Sequence, residues 1–254
     1  MSARMKRREF ITLLAGAAAT PMLAPFAARA QQPAPHTIGY ISSRSLESEG
    51  VFGTAFRQAL AETDFIEGQN VRIEYRFSGG QDNRLPALAA ELVRQKVAVL
   101  VASDGPSATA AKAATSAIPI VFSAGADPIT LGLVESLNRP TGNATGVYVF
   151  IAGLGPKRLQ LLHEVIPHAK LIAFVVNVSS GSGLAQAEAM QEAAKAMGQP
   201  ILVQTAATTD EIDKAFATIV ERRADGIVYS ASPFFQVMRE KLVALAAQHA
   251  IPAI

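Results

Sequence analysis

The sequence predicts an α/β protein built from two similar lobes, each a parallel β-sheet covered by helices. Three observations predict this fold class. Short β-branched runs alternate with amphipathic helical stretches from residue 37 onward, and such alternation is typical of parallel sheets. One strand–helix–strand unit of the first half is echoed in the second half. Between the halves, residues 138–155 are rich in Gly, Thr, Asn and Pro, which predicts the passage from one lobe to the other.

In the first half, four short apolar runs predict strands. They are residues 38–41, 71–77, 97–102 and 118–122. Between them, apolar residues recur at helical spacing, as in Leu85, Leu88 and Leu92. An alanine-rich stretch predicts a further helix over 108–117, and Asp127 before Pro128 predicts the start of a helix that runs to Leu137. The first lobe is predicted over residues 37–150.

The second half carries the same pattern over residues 151–254. Strands are predicted over 171–176, 201–204 and 226–230. Three predicted helices have clear start or stop signals: one before the first of these strands ends at Pro167, and of the two between the strands, one ends at Gly198 and one follows Asp210.

The internal echo places two serines at equivalent positions. Ser103 follows the strand over 97–102, and Pro106 and a helix follow it. Ser230 follows the last predicted strand, and Pro233 and a helix follow in the same way. Because ligands of open α/β sheets lie at the carboxyl ends of the strands, both serines are predicted at a cleft. The first copy continues into a strand where the second stops, so we expect the natural protein to be longer.

The N-terminus has the three parts of an export signal. Arg7 and Arg8 form a twin-arginine stretch, residues 11–28 carry no charge, and the small residues around Arg29 predict cleavage after Ala30. We expect residues 1–30 to be a twin-arginine (Tat) signal peptide, residues 31–36 a short linker, and the mature protein to reside in the periplasm. The alternative, an uncleaved anchor, is disfavoured by two prolines in the run.

Composition and motifs argue against several function classes. Without residues 1–30 the formal charge changes from +2 to about −2, because that segment holds five basic residues and one acid, so no nucleic-acid partner is expected. The absence of cysteine excludes disulfides, thiol catalysis and a lipid-bearing cysteine. No GxxxxGK[ST], HExxH or GxSxG motif occurs, and the four histidines are scattered. We therefore expect no catalytic residue, no cofactor and no metal.

Residues 118–147, which read IPIVFSAGADPITLGLVESLNRPTGNATGV, carry a family resemblance. With HTIGYIS near the start and AAQHAIPAI at the end, the stretch resembles a family of ABC-transporter substrate-binding proteins that includes binders of tryptophan and other aromatic amino acids. The resemblance implies a type I periplasmic-binding-protein fold with two Rossmann-like lobes and a hinge crossed three times. It also implies that the protein delivers a small ligand to an ABC permease in the inner membrane. We expect the mature chain to be soluble and monomeric.

Polar residues at predicted strand ends and helix starts are the candidate ligand-binding residues. A small zwitterion or carboxylate needs hydroxyls and backbone N–H groups for its anionic end and a carboxylate for any ammonium. The candidates are Ser42, Ser43, Ser103, Ser107, Ser123, Asp127, Asn177 and Ser230. Each has an alternative interpretation as a helix cap or as a residue that hydrogen-bonds to the backbone of its loop.

Two rival functions remain open at this point. An exported α/β enzyme would bind a nucleotide or sugar phosphate at the glycine-rich loop over residues 177–183, which resembles a phosphate-binding loop. A sensor module is the other, although no helix-turn-helix signal accompanies it. We expect a binding protein that closes on its ligand and is not an enzyme.

Overall fold

The computed structural model describes residues 36–254, and these form eight strands and eight α-helices. The predicted signal peptide and residues 31–35 of the linker lie outside the described residues. Within 36–254, no helix is long and apolar enough to cross a membrane.

The first sheet has five parallel strands in the order β2-β1-β3-β4-β5. Its strands are β1 (His36–Ser42), β2 (Val71–Phe77), β3 (Val99–Ala102), β4 (Ile120–Ala124) and β5 (Ala144–Tyr148). Its helices are α1 (Leu46–Glu62), α2 (Leu85–Arg94) and α3 (Gly105–Ala114), and a 3-10 turn over Asp82–Arg84 precedes α2.

The second sheet has three parallel strands in the order β7-β6-β8. They are β6 (Ile172–Val176), β7 (Ile201–Thr205) and β8 (Gly226–Tyr229). The helices around it are α4 (Gly155–Val165), α5 (Gly183–Met197), α6 (Thr209–Glu221), α7 (Pro233–Val237) and α8 (Arg239–Gln248). The predicted fold class, α/β with parallel sheets, is confirmed. The boundary between the lobes at residue 150 stays a prediction.

Apolar composition explains the position of the central strands. All five residues of β6, which reads IAFVV, are buried, as expected for a parallel strand with helices on both faces.

The helices begin and end at capping residues: Ser45 begins α1 with a capping box, and Gly198 ends α5 in the left-handed conformation, as predicted.

The internal echo is visible in the hydrogen bonds of the two sheets. The amide of Ser103 donates to the carbonyl of Ile41 (3.1 Å), and the amide of Ser230 donates to the carbonyl of Val175 (2.9 Å). In each sheet the carbonyl of the proline in the Ile-Pro pair accepts a hydrogen bond from the strand beside it. Ser103 and Ser230 therefore occupy equivalent places at the carboxyl edges of the two sheets.

Two expectations for residues 127–148 are wrong. The predicted helix from Asp127 to Leu137 is absent: the segment forms turns, and Gly132 has a positive φ of 68° that an α-helix does not permit. Strand β5 lies inside the segment predicted as the connection. Its sequence ATGVY is mostly exposed at the edge of the sheet, so it lacks the apolar run that identifies a central strand.

Candidate ligand-binding site

A cavity of about 550 Å³ lies at the carboxyl edges of both sheets. Its polar and charged lining comes from the end of β4 and from the segments that follow β1, β2, β3, β6 and β8. Such a crevice outside the carboxyl ends of parallel strands is the usual ligand position in open α/β sheets. Its apolar lining includes Phe52, Leu85, Pro86, Ala110, Ala113, Leu131, Val149 and Ile151.

Arg44 is the central charged residue on the wall formed by the first sheet. Although it is charged, only 8% of the residue is exposed. Its Nη1 lies 3.2 Å from Oε2 of Glu49 and 3.6 Å from Oδ2 of Asp104, and its guanidinium stacks over the ring of Phe52 at 4.6 Å. Two carboxylates and an aromatic face therefore compensate the burial of this guanidinium.

Glu49, on α1, accepts hydrogen bonds from the hydroxyls of Tyr40 and Ser42 as well as from Arg44. Burial raises the pKa of Tyr40, and the hydrogen bond to Glu49 acts in the same direction. The phenol therefore stays protonated and remains a hydrogen-bond donor.

Asp104 joins the loop after β1 to the start of α3. Its Oδ2 accepts from the amide (2.9 Å) and the hydroxyl (2.8 Å) of Ser43, and it lies 3.2 Å from the Ser42 hydroxyl that donates to Glu49. Its Oδ1 accepts from the amide of Ser107, which completes a capping box. Both carboxylate oxygens therefore accept hydrogen bonds from the protein itself.

Asp82 lies at the start of the 3-10 turn before α2 and also lines the cavity. Burial raises its pKa to about 6, and the negative charge of Asp104 contributes further. In contrast to Asp104 and Glu49, its carboxylate has no hydrogen-bond donor or ion-pair partner among the described residues.

The opposite wall is formed by the loop between β6 and α5, residues 177–183. Asn177 is buried and organises it: its Oδ1 accepts from the amide of Ser179 (3.0 Å), and its Nδ2 donates to the hydroxyl of Ser232 (3.3 Å). The amide of Ser180 donates to the carbonyl of Asn177 (3.3 Å), and that of Gly183 to the carbonyl of Ser180 (3.0 Å). Three amides of this glycine-rich loop thus donate within the loop, which does not favour a phosphate there.

The two walls touch at three places around the cavity. Nε of Arg44 donates to Oε1 of Gln236 on α7 over 2.8 Å. A Cβ on Gly181 would lie 3.0 Å from Leu131, and one on Gly80 would lie 3.3 Å from Phe234. The cavity is therefore bounded by contacts between residues of the two sheet systems.

The structure brings only some of the predicted site residues to the cavity. Ser103 and Ser123 line it. Ser42, Ser43 and Ser107 are buried with their hydroxyls hydrogen-bonded: that of Ser42 donates to Glu49, and that of Ser43 to the carboxylate of Asp104.

The remaining three candidates lie outside the cavity lining. Asn177 supports the loop from behind, and Ser230 lines a second cavity of about 320 Å³. The carboxylate of Asp127 accepts from the amide of Ile129 and the hydroxyl of Thr130, so it caps a turn. The contact of any of the eight residues with a ligand stays a prediction.

Sequence reasoning missed most polar residues of the cavity, among them Arg44, Asp82, Asp104 and Gln236. Asp104 was identifiable, because Asp-x-x-Ser at a strand end is a helix N-terminal signal. In residues 36–254, no three side chains of His, Cys, Asp or Glu lie together in a way that could hold a metal ion.

Three comparisons place this geometry among known proteins. A family model described as ABC transporter substrate binding protein matches residues 43–254. The Tyrosine-binding protein of Clostridioides difficile (strain R20291) is 28% identical over 184 residues, which are 70% of this chain and 53% of that protein. The chain therefore spans about half the length of this curated relative.

Two solved structures share the fold. A conserved domain protein from Vibrio cholerae is 23% identical with a TM-score of 0.78, and the ABC domain in complex with L-Trp from Streptococcus pneumoniae is 22% identical with a TM-score of 0.75. Each likeness covers 86% of this chain and 73% of the other. The fold is that of a type I periplasmic binding protein, as the family resemblance implied. Since the family match covers most of the chain, this protein belongs to the ABC transporter substrate-binding protein family.

Proposed function

We propose that this protein is the substrate-binding component of an ABC importer and captures a small ligand between its two lobes. The observation that carries the proposal is the cavity of about 550 Å³ at the carboxyl edges of both sheets, with residues of both on its walls. This volume is within the range of about 300–1,000 Å³ that small-molecule sites have.

The ligand is an amino acid or a related small carboxylate. The mixed lining supports this class, because apolar side chains cover much of the wall while serines and Gln236 supply a few hydrogen-bonding groups. The tyrosine-binding relative and the L-Trp complex support it further.

Capture proceeds by closure of the lobes. A ligand that contacts the Arg44 wall and the loop of residues 177–183 together stabilises the closed form through its higher affinity for that form. An ABC permease of the inner membrane then recognises the closed protein, which acts as a monomer.

The protein acts in the periplasm after export and cleavage following Ala30. The twin-arginine stretch and the uncharged run of residues 11–28 support this location. Fractionation of cells that express the full chain, with N-terminal sequencing of the periplasmic form, checks both the location and the cleavage site.

The function is tested by a thermal-shift screen against amino acids, aromatic carboxylates, sugars and nucleotides. Binding to the native state stabilises it by mass action and so raises the melting temperature. At a ligand concentration of 100 times Kd, the free energy of unfolding increases by about 2.7 kcal/mol. We expect a saturable shift with an amino acid or small carboxylate, and the recovered ligand should be chemically unchanged. Shifts with nucleotides or sugar phosphates alone, or conversion of the ligand, would contradict the proposal and favour an enzyme.

A further inference from the structure

The charges on the cavity wall are not balanced. Of the charged residues that line the cavity, Arg44 is the cation, and Asp82 and Asp104 are acids. Arg44 also pairs with Glu49 directly behind the wall. One guanidinium thus faces three carboxylates, so the wall has an excess of negative charge that an incoming ligand experiences.

Asp82 differs from the other two acids in what its carboxylate contacts. Glu49 and Asp104 each accept several hydrogen bonds and pair with Arg44. Asp82 has neither a donor nor an ion-pair partner within the described part of the chain, and the neighbouring Arg84 donates instead to the carbonyl of Ser78 (3.4 Å). A partly buried carboxylate without a partner is unfavourable until a cation reaches it.

The wall across the cavity has no charge of its own. Its polar lining consists of Ser179, Ser180, Ser182, Ser232 and Gln236. Hydroxyls and an amide accept or donate to a ligand without compensating the acids on the facing wall. The cation that Asp82 lacks is therefore not supplied by the second lobe, which leaves the ligand as its source.

We propose that Asp82 binds the ammonium group of the ligand and so selects amine-bearing ligands, α-amino acids in particular, over carboxylates of the same shape. This inference rests on the proposed function and decides between the two ligand classes named there. A carboxylate without an ammonium would meet the excess negative charge with nothing to offset it, which gives the site a repulsive element against that class.

The same contact makes binding depend on pH. The pKa of Asp82 is raised to about 6 by burial and by Asp104, so the carboxyl is largely neutral at pH 5. A bound ammonium stabilises the charged form of the Asp82 carboxyl and lowers its pKa in the complex. The affinity is therefore full above about pH 7 and is lost as the pH falls through about 6. We expect binding at pH 5 to be about tenfold weaker than at pH 8.

The other charged groups that line the cavity near Asp82 are already paired with one another. Asp104 faces it from the loop before α3, and Arg44 pairs with both Asp104 and Glu49. From α7, across the cavity, the lining contains the uncharged Gln236.

Isothermal titration of the full protein tests the assignment with two matched ligand pairs. L-Tyrosine is compared with 3-(4-hydroxyphenyl)propanoate and L-tryptophan with 3-(indol-3-yl)propanoate, which lack only the amine. In at least one pair the amino acid should bind about 10- to 100-fold more tightly. In Asp82→Asn this preference and the pH dependence should disappear, while the affinity for the des-amino partner stays the same or rises.

Asp210→Asn is the control, because Asp210 is exposed in the first turn of α6 and its variant should keep the wild-type preference. Equal affinities within both pairs in the wild-type protein would overturn the assignment even if Asp82→Asn does not fold. So would loss of the preference in Asp127→Asn rather than in Asp82→Asn. Failure of the wild-type protein to bind any ligand of the wider screen would instead overturn the proposed function, and the inference with it.

Discussion

At the scale of single residues, Glu49 holds the first wall of the cavity in place. It is 1% exposed and accepts hydrogen bonds from Tyr40, Ser42 and Arg44, which come from β1 and the loop after it. Because three donors converge on one carboxylate, its negative charge compensates the buried guanidinium and its two oxygens satisfy the hydroxyls.

The substitution Glu49→Gln should therefore destabilise the protein. The amide keeps the shape of the side chain, but it removes the charge that pairs with Arg44 and places an N–H₂ group against donors. We expect the free energy of unfolding to fall by about 2–4 kcal/mol, measured by urea denaturation.

Glu47→Gln provides a matched control on the same helix. Glu47 lies in the first turn of α1 and is exposed, so its substitution should change the free energy of unfolding by less than about 0.5 kcal/mol. Equal effects of the two substitutions would show that the buried network contributes no particular stability.

At the scale of elements, the loop between β6 and α5 depends on one glycine. A Cβ at Gly183 would overlap the carbonyl oxygen of Asn177 and crowd the backbone of Val178. Since both obstacles are backbone atoms, no side-chain rotation relieves them. The close approach lets the loop turn directly from the strand into α5 and present Ser179 to the cavity.

Gly183→Ala should move this loop and affect folding and binding together. We expect a loss of about 1–3 kcal/mol in unfolding free energy from overpacking, together with weaker ligand binding. Gly50→Ala is the control: a Cβ at that helical position would meet nothing within 4 Å, so the protein should become slightly more stable. Wild-type stability and affinity in Gly183→Ala would argue against the tight-turn interpretation.

The elements that the sequence predicts correctly are those with a strong local signal. The apolar run of β6 and the glycine stop of α5 are examples, because burial on both faces and a left-handed cap each need particular residue types. Strand β5 was missed because an exposed edge strand needs no apolar run. The segment after Asp127 was mistaken for a helix because Asp before Pro is a common helix start, whereas here the Asp127 carboxylate caps a turn.

For the site, the sequence predicts the edge of the sheet but not the individual contacts. Ser103 and Ser123 line the cavity because strand order alone brings strand ends together. Arg44 was missed because its importance comes from partners such as Asp104, which is distant in the sequence. Asp82 was missed because only the tertiary fold shows that it lies on the cavity wall. Which hydroxyls are used internally, as those of Ser43 and Ser107 are, also depends on tertiary packing.

At the scale of the whole molecule, one hydrogen bond joins the charged wall to the second lobe. Nε of Arg44 reaches Gln236 on α7 while the rest of the guanidinium stays bound to Glu49 and Asp104. Because Arg44 is held firmly from its own side, the contact with Gln236 favours the arrangement in which the lobes lie close together. Loss of the amide would leave the Arg44 ion pairs intact.

Gln236→Ala should therefore shift the protein without ligand toward more open forms. A buried hydrogen bond to a charged group contributes about 1.5–3 kcal/mol, but solvent replaces part of this when the lobes open. Because less of the variant is in the closed form that binds ligand, we expect ligand affinity to fall about 3- to 10-fold. Small-angle X-ray scattering should show a larger radius of gyration without ligand and a normal radius at saturation. The control Gln248→Ala removes an exposed amide at the end of α8 and should change neither quantity. An unchanged radius and affinity in Gln236→Ala would mean that closure depends on the ligand alone.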